Sequence, residues 1–318
     1  MLPIEDGLPE EHLIYPHRRH GMDQSLYAWR PVAKRPKARW PGDRGLAIMI
    51  VMPVEWHMLD PSGKPFKHPG AMQTPWPDLR HYTTRDYGPR VGGFRLLRAL
   101  KEAGLKATVP VNGIALERYR PLVEAALEDG HEIAAHGWST DAIHHSGLSE
   151  DVECALVART REAFDRAGLT PRTWMSPARQ QSFRTLGLIA EAGFDVCLDW
   201  EQDEVPVAMT TDDGVVHAVP LMNELDDRTL LIDRRQTEDV WADQMLEAAA
   251  FLKADAGADD RRVLGFTLTS YVAGQPFRMS AVRRMLAGLA QSGGWSATAS
   301  EIASALDSGT TESKACNF

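Results

Sequence analysis

The chain has 318 residues, 43% hydrophobic and 25% charged, an ordinary globular composition with enough apolar material for one large core. A net charge of −9 provides no basic footprint for nucleic acid or an anionic membrane surface, so the expected partner is a small molecule. Cys154, Cys197 and Cys316 are far apart and form no C-x-x-C pair, which argues against a disulfide framework and a thiolate metal site and suits a reducing cytoplasm.

Residues 1–44 are rich in Pro, Arg, His and Trp without a steady period, and read as an irregular arm wrapped on the domain or on a neighbouring subunit. Trp29 and Trp40 make the arm too apolar to be left free, so a homo-oligomer is expected. The first residues lack the apolar core of about 7–15 residues that a secretory signal needs. No run approaches the ~20 apolar residues of a membrane helix, and a cytoplasmic protein is expected. The continuous apolar run from Leu46 to Met52 suits a strand buried on both faces.

Apolar runs then alternate with amphipathic stretches. Arg90–Ala103 has helical spacing and stops at Gly104, before a strand at Ala107–Val111. Helix, glycine and strand recur: Pro121–Glu128, Gly130 and the strand 131–135; Ser149–Ala167, Gly168 and Thr173–Met175; Ser182–Ala192, Gly193 and Phe194–Leu198. Val216–Leu221 and Val263–Thr269 are further strands, the latter after a helix at Thr237–Lys253. About seven strands and six or seven helices without a break in composition favour one α/β domain, residues 45–305, followed by a tail at 306–318. A closed barrel is the economical arrangement, an open doubly wound sheet the alternative.

In a parallel barrel, function gathers at the carboxyl ends of the strands. Those ends carry Glu55-Trp56-His57, Asn112, His136-Gly137-Trp138, Ser176 to Arg179, Asp199-Trp200, Asn223 to Asp226, and Thr269-Ser270-Tyr271. A carboxylate directly after an apolar run is costly to bury unless paired, which singles out Glu55. His136 closes its own apolar strand. Trp56, Trp138, Trp200 and Tyr271 suggest an aromatic-lined pocket for a ring substrate, and Arg179 offers a fork for a substrate oxygen. No G-x-S-x-G elbow and no phosphate loop are present, so direct attack by water is favoured over an acyl-enzyme, and no nucleotide cofactor is expected.

Four segments resemble the polysaccharide deacetylase superfamily (carbohydrate esterase family 4, NodB homology): the run ending at Glu55-Trp56, Tyr87-Gly88-x-Arg90-Val91-Gly92, Glu132 to Trp138, and Ser176-Pro177 with Thr185 to Asp195. Gly274-Gln275-Pro276-Phe277-Arg278 adds a likeness to the branch of allantoinase-type and cyclic-imide hydrolases. The resemblance covers roughly residues 45–305. It implies a distorted (β/α)7 barrel that hydrolyses a C–N bond, usually with a divalent ion, zinc first. The family pattern has two acids after the first strand, an H-x-x-x-H pair and a late T-L-H-P. Here one carboxylate, Glu55, stands where two are usual, Thr140 stands four residues after His136, and Thr269 takes the place of the general acid. The resemblance therefore implies Glu55 and His136 as catalytic groups, and Asp199 joins them as a candidate from its place at a strand end, where it could equally cap the following helix. A metal would be held by Glu55 and His136 with His144 or its neighbour His145 as replacement ligand, since a zinc site needs about three protein ligands. The alternatives are a non-catalytic binding protein on the same barrel and a polysaccharide N-deacetylase.

Overall fold

In a computed structural model of the chain, residues 24–60, 75 and 77–310 are described; the first half of the arm, Cys316 and most of the tail lie outside them. All six residues of β1 (Leu46–Val51) are buried. Because successive side chains alternate across a strand, Leu46, Ile48 and Ile50 enter the large core under the helices, while Ala47, Met49 and Val51 enter a smaller interior cluster with Met175, Leu198 and Val263. The strand therefore has protein on both faces, as its unbroken apolar run requires.

Chain order continues through α1 (Leu79–Tyr87), a π-helical turn (Gly88–Gly92), α2 (Gly93–Ala103), β2 (Ala107–Val111), α3 (Arg120–Glu128), β3 (Glu132–Ala135), α4 (Glu150–Arg166), β4 (Thr173–Trp174), α5 (Thr185–Glu191) and β5 (Val196–Cys197). A hairpin of β6 (Val207–Thr211) and β7 (Gly214–Ala218) follows, then a π-helical turn (Arg228–Asp233), α6 (Glu238–Ala256), β8 (Arg262–Thr267), α7 (Met279–Gln291), β9 (Trp295–Ser296) and α8 (Ala299–Thr310). The sheet runs β6-β7-β5-β4-β3-β2-β1-β8, with β9 beside β1. Every pairing is parallel except β6 with β7.

Seven strands, β7 through β8 on that path, thus form a curled parallel sheet of the expected (β/α)7 type, and the open doubly wound alternative is set aside. The ends approach each other without a ladder: Met222 N–H donates to Gly265 O at 2.9 Å and Val263 N–H to Glu204 O at 2.8 Å. Glycine is required at 265, where a Cβ would meet Pro220 O at 2.3 Å. Gly104 ends α2 in the left-handed region at φ 67°, where a side chain would be strained.

The short ladders of β4, β5 and β7 are extended by single bonds, Met175 N–H to Ala135 O at 2.8 Å, Leu198 N–H to Trp174 O at 3.0 Å and Val219 N–H to Cys197 O at 2.9 Å. These recover the longer strands that the apolar runs implied. The hairpin strand β6 was not among the expected elements, since Val207–Thr211 carries a mixed burial pattern and no apolar run. Helix α8 closes the amino end of the barrel: its Ala299 N–H donates to Thr108 Oγ1 at 2.9 Å and Ser300 N–H to Glu132 Oε2 at 3.3 Å. It also runs past residue 305, through the assigned boundary of the tail. The described half of the arm lies on its own barrel, with Trp40 1% exposed and its Nε1–H donating to Arg262 O at 2.8 Å. The carboxyl ends of the strands are left open for chemistry. No helix among the described residues is long and apolar enough to cross a membrane.

Candidate active site

Beyond β1 the chain stays beside β2, with Met52 N–H on Thr108 O at 2.9 Å and Val54 N–H on Pro110 O at 2.8 Å. This delivers Glu55 to the mouth of the barrel with its side chain only 8% exposed. Three cations or potential cations face the carboxylate. His136 Nε2 lies 3.7 Å and Arg228 Nη1 3.8 Å from Oε1, and His57 Nε2 lies 3.6 Å from Oε2. Burial pushes the Glu55 carboxyl up, but His136, His57 and Arg228 together outweigh it and hold the group well below the usual carboxylate range, because each favours the charged form. Glu55 is therefore an ionised base at neutral pH.

His136 follows β3, where its N–H donates to Val111 O at 2.9 Å. Its Nδ1 lies 3.0 Å from Met175 O; a carbonyl only accepts, so Nδ1 carries hydrogen and the Nε2 edge of the ring is turned toward Glu55. The end of β2 supplies the clamp that holds the two together. Asn112, fully buried, accepts from Trp56 N–H at 2.7 Å and Thr140 Oγ1–H at 3.0 Å, and donates from Nδ2 to His136 O. Asn112→Ala is expected to lose about 2–3 kcal/mol of stability in chemical denaturation, since several buried polar groups are left unpaired, and to lower kcat through misplacement of both Glu55 and His136.

Glu55 and His136 line one cavity of about 270 Å³, together with Met175, Arg179, Asp199, Glu201, Asn223, Asp226 and Arg228. The convergence expected from the two strand ends is present. Asp199 also lines it, but its carboxylate is engaged by Ser176 N–H at 2.8 Å and Gln181 Nε2–H at 2.6 Å, so it braces the β4 and β5 ends. Arg179 reaches the cavity from a turn in which Ala178 and Arg179 have φ of 55° and 52°, a conformation costly for non-glycine residues and common in functional walls.

The expected aromatic lining is not assembled. Trp56 stacks beside Tyr119 (5.9 Å) and under Arg118 (4.6 Å), Trp138 lies under Arg159 (3.7 Å), and Trp200 meets Tyr27 edge-on (6.4 Å). Tyr271 is 6% exposed and packs edge-on against His57 at 6.1 Å, with Arg85 at 5.5 Å over its ring. These rings support the walls while charged and polar groups face the cavity.

The anticipated zinc set of Glu55, His136 and His144 does not form. His144 is fully buried; its Nδ1 donates to Glu153 Oε1 at 3.2 Å and its ring packs against Trp174 at 5.7 Å. Burial pushes its pKa down against the pull of Glu153. Thr140 serves Asn112, and His57 and His136 address different oxygens of the Glu55 carboxylate. Among the described residues no three His, Cys, Asp or Glu side chains are grouped to hold an ion. The donor set does not fit the metal that the resemblance implies.

At the missing histidine's position, Thr269 N–H donates to Asp227 Oδ2 at 2.8 Å. Asp227 is fully buried, and burial together with the neighbouring Asp226 charge pushes its carboxyl well above the usual range. A group raised on folding contributes stability below its unfolded value, about 3.9, and loses it as pH rises toward the folded value. The advantage of Asp227→Asn over the parent is therefore expected to grow as pH rises above about 3.9, as read from urea midpoints.

Arg228 is the site residue that strand-end reasoning missed. It stands ten residues past the end of β7, and nothing in its local pattern separates it from a surface arginine. The only signal is the run Asp226-Asp227-Arg228, a charge cluster beside a strand-end segment.

Residues 77–197 match the family model for polysaccharide deacetylase, a span that contains His136 but neither Glu55 nor Arg228. The fold is similar to a probable polysaccharide deacetylase from Pseudomonas aeruginosa PAO1 (22% identity, 86% of this chain and 95% of that one, TM-score 0.73). It is equally similar to PuuE allantoinase (21%, 86% and 94%, TM-score 0.73). A pseudoenzyme of carbohydrate esterase family 4 from Bacillus anthracis matches more distantly (12%, 84% and 67%, TM-score 0.50). No curated protein sequence matches the chain.

Proposed function

We propose that this barrel of the polysaccharide deacetylase fold hydrolyses a C–N bond in a small cyclic amide, imide or ureide by direct attack of water. The observation that carries the reading is the convergence of an ionised Glu55 and the Nε2 face of His136 on one cavity of about 270 Å³. That volume lies just below the range of ligand pockets, about 300–1,000 Å³, and suits a single ring better than a sugar polymer. The similarity to an allantoinase supports ring opening as the reaction.

Glu55 can orient a water by accepting a hydrogen bond from one of its O–H groups, with the Nε2 edge of His136 beside it. Glu55 removes that proton as the oxygen adds to the substrate carbonyl. The resulting glutamic acid then returns the proton to the leaving nitrogen, and the bond to carbon breaks to leave a carboxylate and an amine or amide. Asn112 and Met175 O keep the base and the imidazole in register. No step is routed through a metal, since the residues present do not build a ligand set.

The experiment is a panel of hydantoin, dihydropyrimidine, succinimide and N-acetylhexosamine oligomers, followed by mass spectrometry of the ring-opened acid or released acetate. Turnover of a ring with none of an oligomer is the expected result. Acetate release from oligomers alone would overturn the reading in favour of a deacetylase. A second reading, a binding protein that has lost hydrolysis, is favoured by one observation: Thr140 and Thr269 stand where the family pattern has histidines. It predicts saturable heat of binding for a ring compound with no product.

A further inference from the structure

We propose that the Arg228 guanidinium takes the place of the family's divalent ion, polarising the substrate carbonyl and holding the oxyanion. The idea rests on the hydrolase reading above and adds the electrophile that it lacks. Water attack on an unactivated amide needs positive charge where the oxyanion develops, and the described residues offer no ion site.

The position of Arg228 is the argument. Its Nη1 is 3.8 Å from Glu55 Oε1, the same oxygen that faces His136 Nε2 at 3.7 Å, so the guanidinium stands beside both groups that would have begun a metal shell. Its Nε is 3.8 Å from Asp226 Oδ1. Neither contact is a hydrogen bond, and the forked geometry that locks an arginine onto a carboxylate is absent from both. The side chain retains 32% exposure and lines the cavity. It is thus held by the charges of Glu55 and Asp226 and by a hydrogen bond with Tyr271 at the wall of the cavity.

Its backbone is set for this placement. Arg228 begins the π-helical turn Arg228–Asp233, and its N–H donates to Asp226 Oδ1 at 2.7 Å, which fixes the start of the turn at the cavity wall. The neighbours Glu55, Asp226, Asp227 and Tyr271 keep the guanidinium charged. A fixed cation here also opposes any ion approaching Glu55 and His136, which accounts for a family member whose second histidine ligand is replaced by Thr140.

The chemistry balances without a co-reactant. Water adds to the carbonyl carbon, Glu55 takes its proton, and the C=O electron pair moves to the oxygen facing Arg228. That pair returns as the C–N bond breaks, and the nitrogen leaves with the proton from Glu55.

Arg228→Ala, with retained thermal stability as the check on folding, tests the assignment in two independent arms. In the first, kcat on the ring substrate should fall about 10²–10³-fold, the cost of removing one oxyanion donor, and recover in part with added guanidinium or ethylguanidinium ions. Turnover in the parent should survive dipicolinate. Unchanged kcat, or loss of activity in the parent on chelation, would overturn the proposal. In the second, zinc titrated calorimetrically into parent and variant should bind the variant at least tenfold tighter. Equal affinity, or no binding by either, would refute the idea that the guanidinium stands in the ion's place. The zinc arm needs no substrate, so a parent inactive on every ring compound would sink the hydrolase reading and leave the placement of Arg228 separately decided.

Discussion

Glu55→Gln is expected to lower kcat by about 10²–10⁴-fold, the contribution of a positioned general base, with little change in substrate affinity. The amide keeps the size and the planar shape of the carboxylate but cannot take a proton from water. Full turnover by the variant would remove Glu55 from the mechanism. The pH dependence carries a second signature. Because His136, His57 and Arg228 hold the Glu55 carboxyl well below its ordinary value, the acid limb of kcat/KM should lie below the ordinary glutamate range near 4.3, and activity should persist into mildly acidic solution. The sign for stability is the matching one. A carboxyl depressed on folding contributes stability above its unfolded value and loses it as pH falls toward the folded value. The stability difference between parent and Glu55→Gln should accordingly move against the parent on acidification below about pH 4.

Glu153→Ala is expected to be the most destabilising single substitution among the polar residues, by about 3–5 kcal/mol in denaturant midpoint analysis, the range for breaking a buried hydrogen-bonded charge. Glu153 is fully buried in α4. It accepts from His144 Nδ1–H at 3.2 Å, Ser182 Oγ–H at 2.7 Å, Thr185 Oγ1–H at 2.6 Å and Arg184 Nη2–H at 3.1 Å. Burial pushes its carboxyl up, while Thr185, Ser182 and His144 pull it lower and win. One carboxylate thus joins α4, the start of α5 and the loop that follows His136. Removing it leaves two hydroxyls and an imidazole without their buried carboxylate acceptor, while Arg184 keeps Leu148 O at 2.8 Å. A cost below about 1 kcal/mol would show that the network is replaceable by water, against its burial. Glu153→Gln, which keeps the shape and an acceptor oxygen, should fall between the parent and alanine.

The role of Glu153 also explains the histidine-rich stretch 131–153. His131 accepts from Ala107 N–H at 3.1 Å through Nδ1, His136 enters the cavity, His144 is committed to Glu153, and His145 Nδ1 accepts from Gly147 N–H at 3.1 Å. Four similar side chains in one short stretch do four different things. Composition and spacing weigh them equally; the directions of the loop backbone separate them.

Much of the architecture was legible because it rests on local periodicity. The apolar run 46–52, the helices ending at glycine and the parallel order of short strands follow from alternation across a pleat and from the 3.6-residue turn, and both act within a few residues. Strand ends named Glu55, His136, Asn112 and Asp199 as neighbours, since a parallel barrel puts every carboxyl end on one rim. Tertiary structure alone decided the rest: that Arg228 reaches Glu55 across 173 positions of chain, that His144 turns to Glu153, and that the tryptophans brace the walls. Those outcomes depend on side-chain directions set by long-range packing and by competition among charges for a few buried partners, and no short window of sequence contains either.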